Sequence, residues 1–240
     1  MSTYLVGFDR FIALDWANYA LELSLHSENS KDTSVSQLKG WLSSRVSGND
    51  AIRKTSNVLE RLWFDANKEK SYFRTEAHHI TQIAKKSDNV IFHWGMAILT
   101  FPFFHEACFQ VGRLHSLQSS FTRQEIHVRM AEKYSNQGTI PRSIDRILQS
   151  LVDWKLLEKV SARNLSSQHH KTADDRVKRW LLELMVYSTQ QKRIPLNSFY
   201  KLPELFAFEF NGDVAHIANS SRKVKIERDG GNMEYISWRY

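Results

Sequence analysis

The sequence predicts a mainly α-helical protein with small β-hairpins: a helical N-terminal region, a winged helix-turn-helix, and a C-terminal unit of helices and a closing hairpin that can be read either as a second winged-helix-like unit or as a separate arrangement. Three observations carry that expectation. Apolar residues recur at helical spacing through the first 120 residues. Phe121-Thr122-Arg123-Gln124-Glu125-Ile126 has the pattern of a capping box with a hydrophobic staple. Asp229-Gly230-Gly231-Asn232 stands between two strand-like runs, and its residues tolerate the positive φ that hairpin turns require.

With 240 residues, of which 42% are hydrophobic and 12% aromatic, the chain has the length and apolar content for one large domain or two small ones. Asp15–Leu25 places Trp16, Tyr19, Ala20 and Leu23 on one helical face. Val35–Val46 and Ile52–Phe64 follow, separated by the turn Gly48-Asn49-Asp50; the second turns Ile52, Leu59, Leu62 and Trp63 inward and Arg53, Lys54, Glu60 and Arg61 outward. Ser71–Lys86 is a further amphipathic helix, and Asn89–Leu117 holds one or two buried helices broken near Pro102. The most apolar run, Ile91–Phe104, is shorter than the ~20 residues that cross a bilayer and reads as a core helix.

From Thr122 a helix is expected to about Tyr134, ending at Ser135-Asn136-Gln137-Gly138. A second helix opens at Thr139-Ile140-Pro141, with proline in the first turn where its missing N–H costs nothing. Ile144, Ile147, Leu148, Leu151 and Val152 make its apolar stripe; the opposite face presents Arg142, Ser143, Arg146, Gln149 and Asp153. Trp154–Val160 can leave as a strand, and Ser161–Asp174 reads as a polar, basic loop whose returning strand is not evident. Arg176–Tyr187 is helical, Leu196–Phe206 and Val214–Ala218 are expected as two more helices, and Val224–Arg228 with Glu234–Trp238 close the chain as a hairpin. The expected units are 1–120, 121–173 and 174–240.

Lys plus Arg number 33 against 26 Asp plus Glu, a net charge of +7 that favours polyanions such as nucleic acid. The polar face of the second helix suits the major groove: arginine forks onto guanine, glutamine pairs with adenine, and serine or a helix N-terminus takes phosphate. The candidate DNA-binding residues are Arg123, Thr139, Arg142, Ser143, Arg146 and Gln149, with Lys155, Lys159, Arg163 and Lys171 around the hairpin and its loop as phosphate contacts. Polar residues opposite an apolar stripe also mark any surface helix, so a protein-protein adaptor within a larger complex is the alternative. Arg53, Lys54 and Arg61 read as a solvated helix face, with a place on the DNA surface as the alternative.

Catalytic and metal chemistry finds little support. Cys108 is the single cysteine, which excludes an intramolecular disulfide and a cysteine-rich zinc module and suits a reducing cytosol. Of the ten histidines only His105 has a ligand-like partner, Cys108, three residues on, with no second pair to complete a site. There is no glycine-rich phosphate loop, nucleophile elbow or zinc-protease motif. The N-terminus lacks the pattern of a secretory signal. The expectation is a cytoplasmic, non-enzymatic protein without cofactor, metal, small-molecule substrate or membrane partner.

The stretch FTRQEIHVRMAEKYSNQGTIPRSIDRILQSLVDWKLLEKV resembles the winged-helix superfamily of bacterial DNA-binding proteins. Preceded by FPFFHEACFQVGRL, and with IDRILQSLVDWKLLEK as a helix running into an apolar strand, the chain more distantly resembles the BrxA family of accessory proteins in BREX phage-defence systems. The resemblance implies a helical N-terminal part, a winged helix that binds double-stranded DNA, and a place beside other subunits of a defence complex. This chain is longer than typical members of that family, and no catalytic residues carry over.

Overall fold

A computed structural model describes residues 6–26, 30–65, 67–134, 138–189, 191, 193–210 and 212–239. The fold is mainly helical, with small open β-sheets. The N-terminal region contains α1 (Leu14–Leu25), α2 (Lys31–Leu42), α3 (Asn49–Trp63), α4 (Lys68–Thr81), α5 (Asn89–Thr100) and α6 (Pro102–His115). The first four begin earlier than expected, α1 by one residue, α2 by four, and α3 and α4 by three. The Ser30 hydroxyl accepts from the Thr33 amide and so starts α2 at Lys31. The helix expected over Ser71–Lys86 ends at Thr81, after which Lys86–Asp88 forms a 3-10 turn.

α5 is the central element: Val90, Ile91, Phe92, Trp94, Met96, Ala97 and Ile98 are all buried. A helix apolar on every face belongs inside, and α5 touches α1, α3, α4, α6 and α9 (Asp175–Ser188). Gly95 makes the last approach possible, since a Cβ there would stand 2.5 Å from the Trp180 ring. No helix among the described residues is long and apolar enough to cross a membrane.

After α6 the chain forms β1 (Phe121–Thr122), α7 (Arg123–Lys133), α8 (Ile140–Asp153), β2 (Leu157–Lys159) and β3 (Asn164–Ser167). The three strands are antiparallel in the order β1-β3-β2. β3 lies where only a loop was expected. It has a single large apolar residue, Leu165, but gains partners on both sides: Leu165 stands opposite both Phe121 and Lys159. The polar stop expected at 135–137 lies outside the described residues.

The C-terminal unit follows the same plan. α9 leads to β5 (Ile194–Pro195), and after β6 (Phe208–Glu209) come α10 (Val214–Ser220), β7 (Val224–Arg228) and β8 (Glu234–Trp238), with sheet order β5-β8-β7. The helix expected over Leu196–Phe206 is instead two 3-10 turns, Leu196–Lys201 and Pro203–Ala207, with extended Leu202 between them. Pro203 lacks the amide that would continue a helix and disfavours helical geometry at Leu202. β4 (His170–Lys171) pairs in parallel with β6 and ties the two units together.

One apolar cluster runs through all three regions, from Phe8 through Phe104, Leu148 and Trp180 to Ile236. The tightest seam is α6 against Pro203: a Cβ on Gly112 would lie 1.7 Å from the Pro203 carbonyl oxygen.

Candidate nucleic-acid interface

α7 begins as its residues dictate. The Thr122 Oγ1 accepts from the Glu125 amide at 3.2 Å, and the Glu125 carboxylate accepts from the Thr122 amide at 2.7 Å. The Gln118 amide group also donates to Glu125, and with the Thr122 bonds it holds that carboxyl below its usual range. Ile126 and Met130 face α8, whose Ile144, Ile147, Leu148 and Leu151 are buried. His127 Nε2 lies 3.1 Å from Asp145 Oδ1 and links the two helices across their outer edge.

α8 is buried on a second side that its apolar stripe does not reveal. The extended segment before α1 lies along it: the Ile12 amide donates to Ser150 Oγ at 2.9 Å, the Leu14 amide donates to Asp153 Oδ2 at 2.7 Å, and Trp154 Nε1 donates to the Ile12 carbonyl at 2.9 Å. Ser143 belongs to this inner side, which corrects its expected place on the outer face. It is 1% exposed, and its hydroxyl donates to the Thr139 carbonyl. Ser143 and Ser150 lie two turns apart and are both buried, and at Ser150 the small side chain lets the N-terminal segment close on the helix.

The outer stripe that remains consists of Arg142, Arg146 and Gln149, flanked by Asp145 and Asp153. Arg142 is exposed, and Arg146 Nη1 donates to Gln149 Oε1 at 2.8 Å, which orients both side chains. Thr139 is exposed at the α8 N-terminus, its own side chain making no cap.

Three of the sequence-chosen residues meet in one groove of about 290 Å³: Arg123 at the start of α7, Gln149 on α8 and Lys159 at the end of β2. Phe11, Val152 and Asp153 complete its walls. Phe11 was not anticipated. It reaches the groove only because the N-terminal segment crosses α8, and nothing in its local sequence signals that.

The hairpin residues separate into two groups. Lys155, Lys159 and Arg163 are exposed. Lys155 has φ 60° just past α8, where the Leu156 amide bonds the Leu151 carbonyl and the Lys155 amide bonds the Val152 carbonyl, a Schellman end with lysine in the position that favours glycine. Arg163 sits in the turn between β2 and β3, where Ser161 Oγ accepts the amides of Arg163 and Asn164. Lys171 is a correction: the chain has left the hairpin by then, and Lys171 lies on β4, paired at 2.8 Å with Glu209.

Elsewhere, Arg53 and Lys54 both pair with Asp50, and Lys54 first, then Arg53, pulls that carboxyl down to about 2. Arg61 lies over the Phe101 ring. His105 Nε2 meets Glu204 Oε1 at 3.0 Å rather than Cys108, whose thiol is fully buried and pushed up by that burial. Among the described residues no cluster of three or more His, Cys, Asp or Glu is placed to hold a metal ion.

No family model, no curated protein and no solved structure matches this chain.

Proposed function

We propose that residues 102–167 form a winged helix-turn-helix and that the protein binds double-stranded DNA through it, without chemistry of its own. The observation that carries this reading is the convergence of Arg123, Gln149 and Lys159 on one groove, with Arg146 hydrogen-bonded to Gln149 beside it. The order α6–β1–α7–α8–β2–β3, with β3 between the other strands, supports the reading of β2–β3 as a wing. In this arrangement α8 enters the major groove, Arg142 and Arg146 address guanine edges or phosphates, and Gln149 addresses an adenine. Arg123 at the α7 N-terminus, Lys155, Lys159 and Arg163 take phosphates, a salt-sensitive contribution without sequence information. Thr139 contributes through its exposed position at the α8 N-terminus.

The C-terminal unit is on this reading a second winged-helix-like fold. The resemblance to the BrxA family extends the proposal to a cytoplasmic accessory component of a bacterial phage-defence system. A specific observation favours the adaptor alternative: Asp145 and Asp153 interrupt the cationic stripe of α8, and mixed charge suits a protein surface as well as it suits DNA.

A fluorescence-anisotropy titration of a labelled duplex at two salt concentrations separates them. With Arg142→Ala and Arg146→Ala together, the affinity should fall about ten-fold or more, and the slope of log affinity against log salt should shrink by up to about 2. An unchanged affinity sinks the assignment of α8 as the reading helix. Absence of binding by the unaltered protein at low salt transfers the function to the adaptor reading.

A further inference from the structure

A second polar pocket, of about 490 Å³, lies between α4, α9 and the junction of α10 with β7. Arg179 enters it from α9, and Arg222 and Lys223 from the junction. Among the described residues none of the three has an ion-pair partner; Lys223 lies over the Tyr72 ring, its Nζ 4.7 Å from the centroid. Unpaired cations are common on an open surface, but here three from two elements meet in one concave site and outnumber its two carboxylates, Glu76 and Glu183, so the lining keeps an excess of positive charge.

Of the two carboxylates, Glu183 keeps its charge, but its oxygens are already taken by other donors. Glu183 is 2% exposed, and its two oxygens accept from the Tyr72 hydroxyl at 2.6 Å and the Ser221 hydroxyl at 2.6 Å. Burial first, and then the Glu183 bond, keep Tyr72 protonated as the donor. Hydroxyl donors, not the arginines, therefore satisfy Glu183. Glu76 also lines the pocket, its carboxylate opposing the three cations.

We propose that this pocket binds a phosphate group, carried either by a nucleic-acid backbone or by a free nucleotide. A tetrahedral anion with several acceptor oxygens can take charge-assisted hydrogen bonds from two guanidinium forks and an ammonium at once, which a planar carboxylate does less completely. The volume falls in the range of small-molecule sites and admits the sugar as well as the phosphate. The site shares no residue with the α8 groove and does not depend on the reading given to that groove.

The test uses the full chain, with calorimetric titration by inorganic phosphate and by adenosine diphosphate, and anisotropy titration of a short duplex. Arg222→Gln with Lys223→Gln should weaken the bound probe about ten-fold or more, the effect of removing charge-assisted bonds, while the melting temperature stays unchanged. Glu76→Gln should tighten it by removing the opposing charge. A free nucleotide is the source if the small probes bind and the Arg142→Ala, Arg146→Ala variant retains them. A polymer backbone is the source if the duplex alone binds and is weakened by Arg222→Gln with Lys223→Gln. The proposal is overturned if the unaltered protein binds none of the probes. It is equally overturned if the folded double variant binds as tightly as the unaltered protein, or, should that variant not fold, if Glu76→Gln leaves affinity unchanged.

Discussion

The two halves of residues 102–238 share a strand order, β1-β3-β2 in one and β5-β8-β7 in the other, and differ in the side chains that this order brings into register. In the first unit Phe121, Leu165 and Lys159 form one row across the sheet; in the second, Ile194, Ile236 and Ile226 occupy that row. Stepping one residue along, Thr122 corresponds to Pro195, and Arg123 to Leu196. The first unit thus has a hydroxyl that caps a helix of 11 residues and two cations on a groove, while the second has a proline that offers no side-chain cap and opens a 3-10 turn. The last helix differs too: α8 has 14 residues and α10 has 7. A shared topology therefore says little about shared activity, because activity resides in the side chains that the scaffold carries.

The comparison can be broken most severely at the seam between the units. Gly112→Ala puts a methyl group into the Pro203 carbonyl and should cost about 3 kcal/mol, read as a lower urea midpoint. An unchanged midpoint would mean that the two units do not press together at this point.

Acid should act next, through the helices that brace the first unit. His93 is fully buried between Asn18, Trp63 and Trp154, and burial lowers its pKa from 6.5 to about 3; burial likewise takes His78 to about 4. Below pH 6.5 the unfolded chain takes up protons that the folded chain refuses, so stability is lost as the pH falls from 6.5 toward these values. The slope from His93 is up to about 1.4 kcal/mol per pH unit. Urea midpoints at several pH values should show that decline, and His93→Gln should flatten it. A midpoint independent of pH across this window would contradict the burial of these rings.

Giving the first unit the residues of the second sharpens the functional contrast. Arg123→Leu with Lys159→Ile should reduce duplex affinity about ten-fold, and the salt dependence should weaken with it. Equal affinity would remove the groove from the proposed DNA surface. The smallest effect belongs to the cap: Thr122→Ala should cost about 1 kcal/mol of stability in thermal or urea unfolding, whereas Pro195 offers no comparable bond to lose.

Much of this was legible locally. The Thr122 and Glu125 cap, the proline opening of α8, the buried stripe Ile144 to Leu151 and the hairpin around Asp229 to Asn232 all stand where the residues indicate. β3 was not legible, because Asn164, Ser166 and Ser167 carry no strand pattern and become a strand only between two partners. Ser143 was misread for a related reason: a polar residue opposite the main stripe is taken as outward until another segment covers it. Lys171 was misplaced because the chain turns from the hairpin toward β6, a pairing set by residues well beyond the local window.

By itself, then, the sequence determined the mainly helical class, the two short helices of the first unit and the terminal hairpin, since caps, turns and apolar spacing act over a few residues. Only tertiary structure decided which face of α8 stays open. Contacts between residues as distant as Ile12 and Ser150 leave no periodic trace, yet they bury Ser150, bring Phe11 to the groove beside Gln149, and leave Arg142, Arg146 and Gln149 as the open stripe of α8.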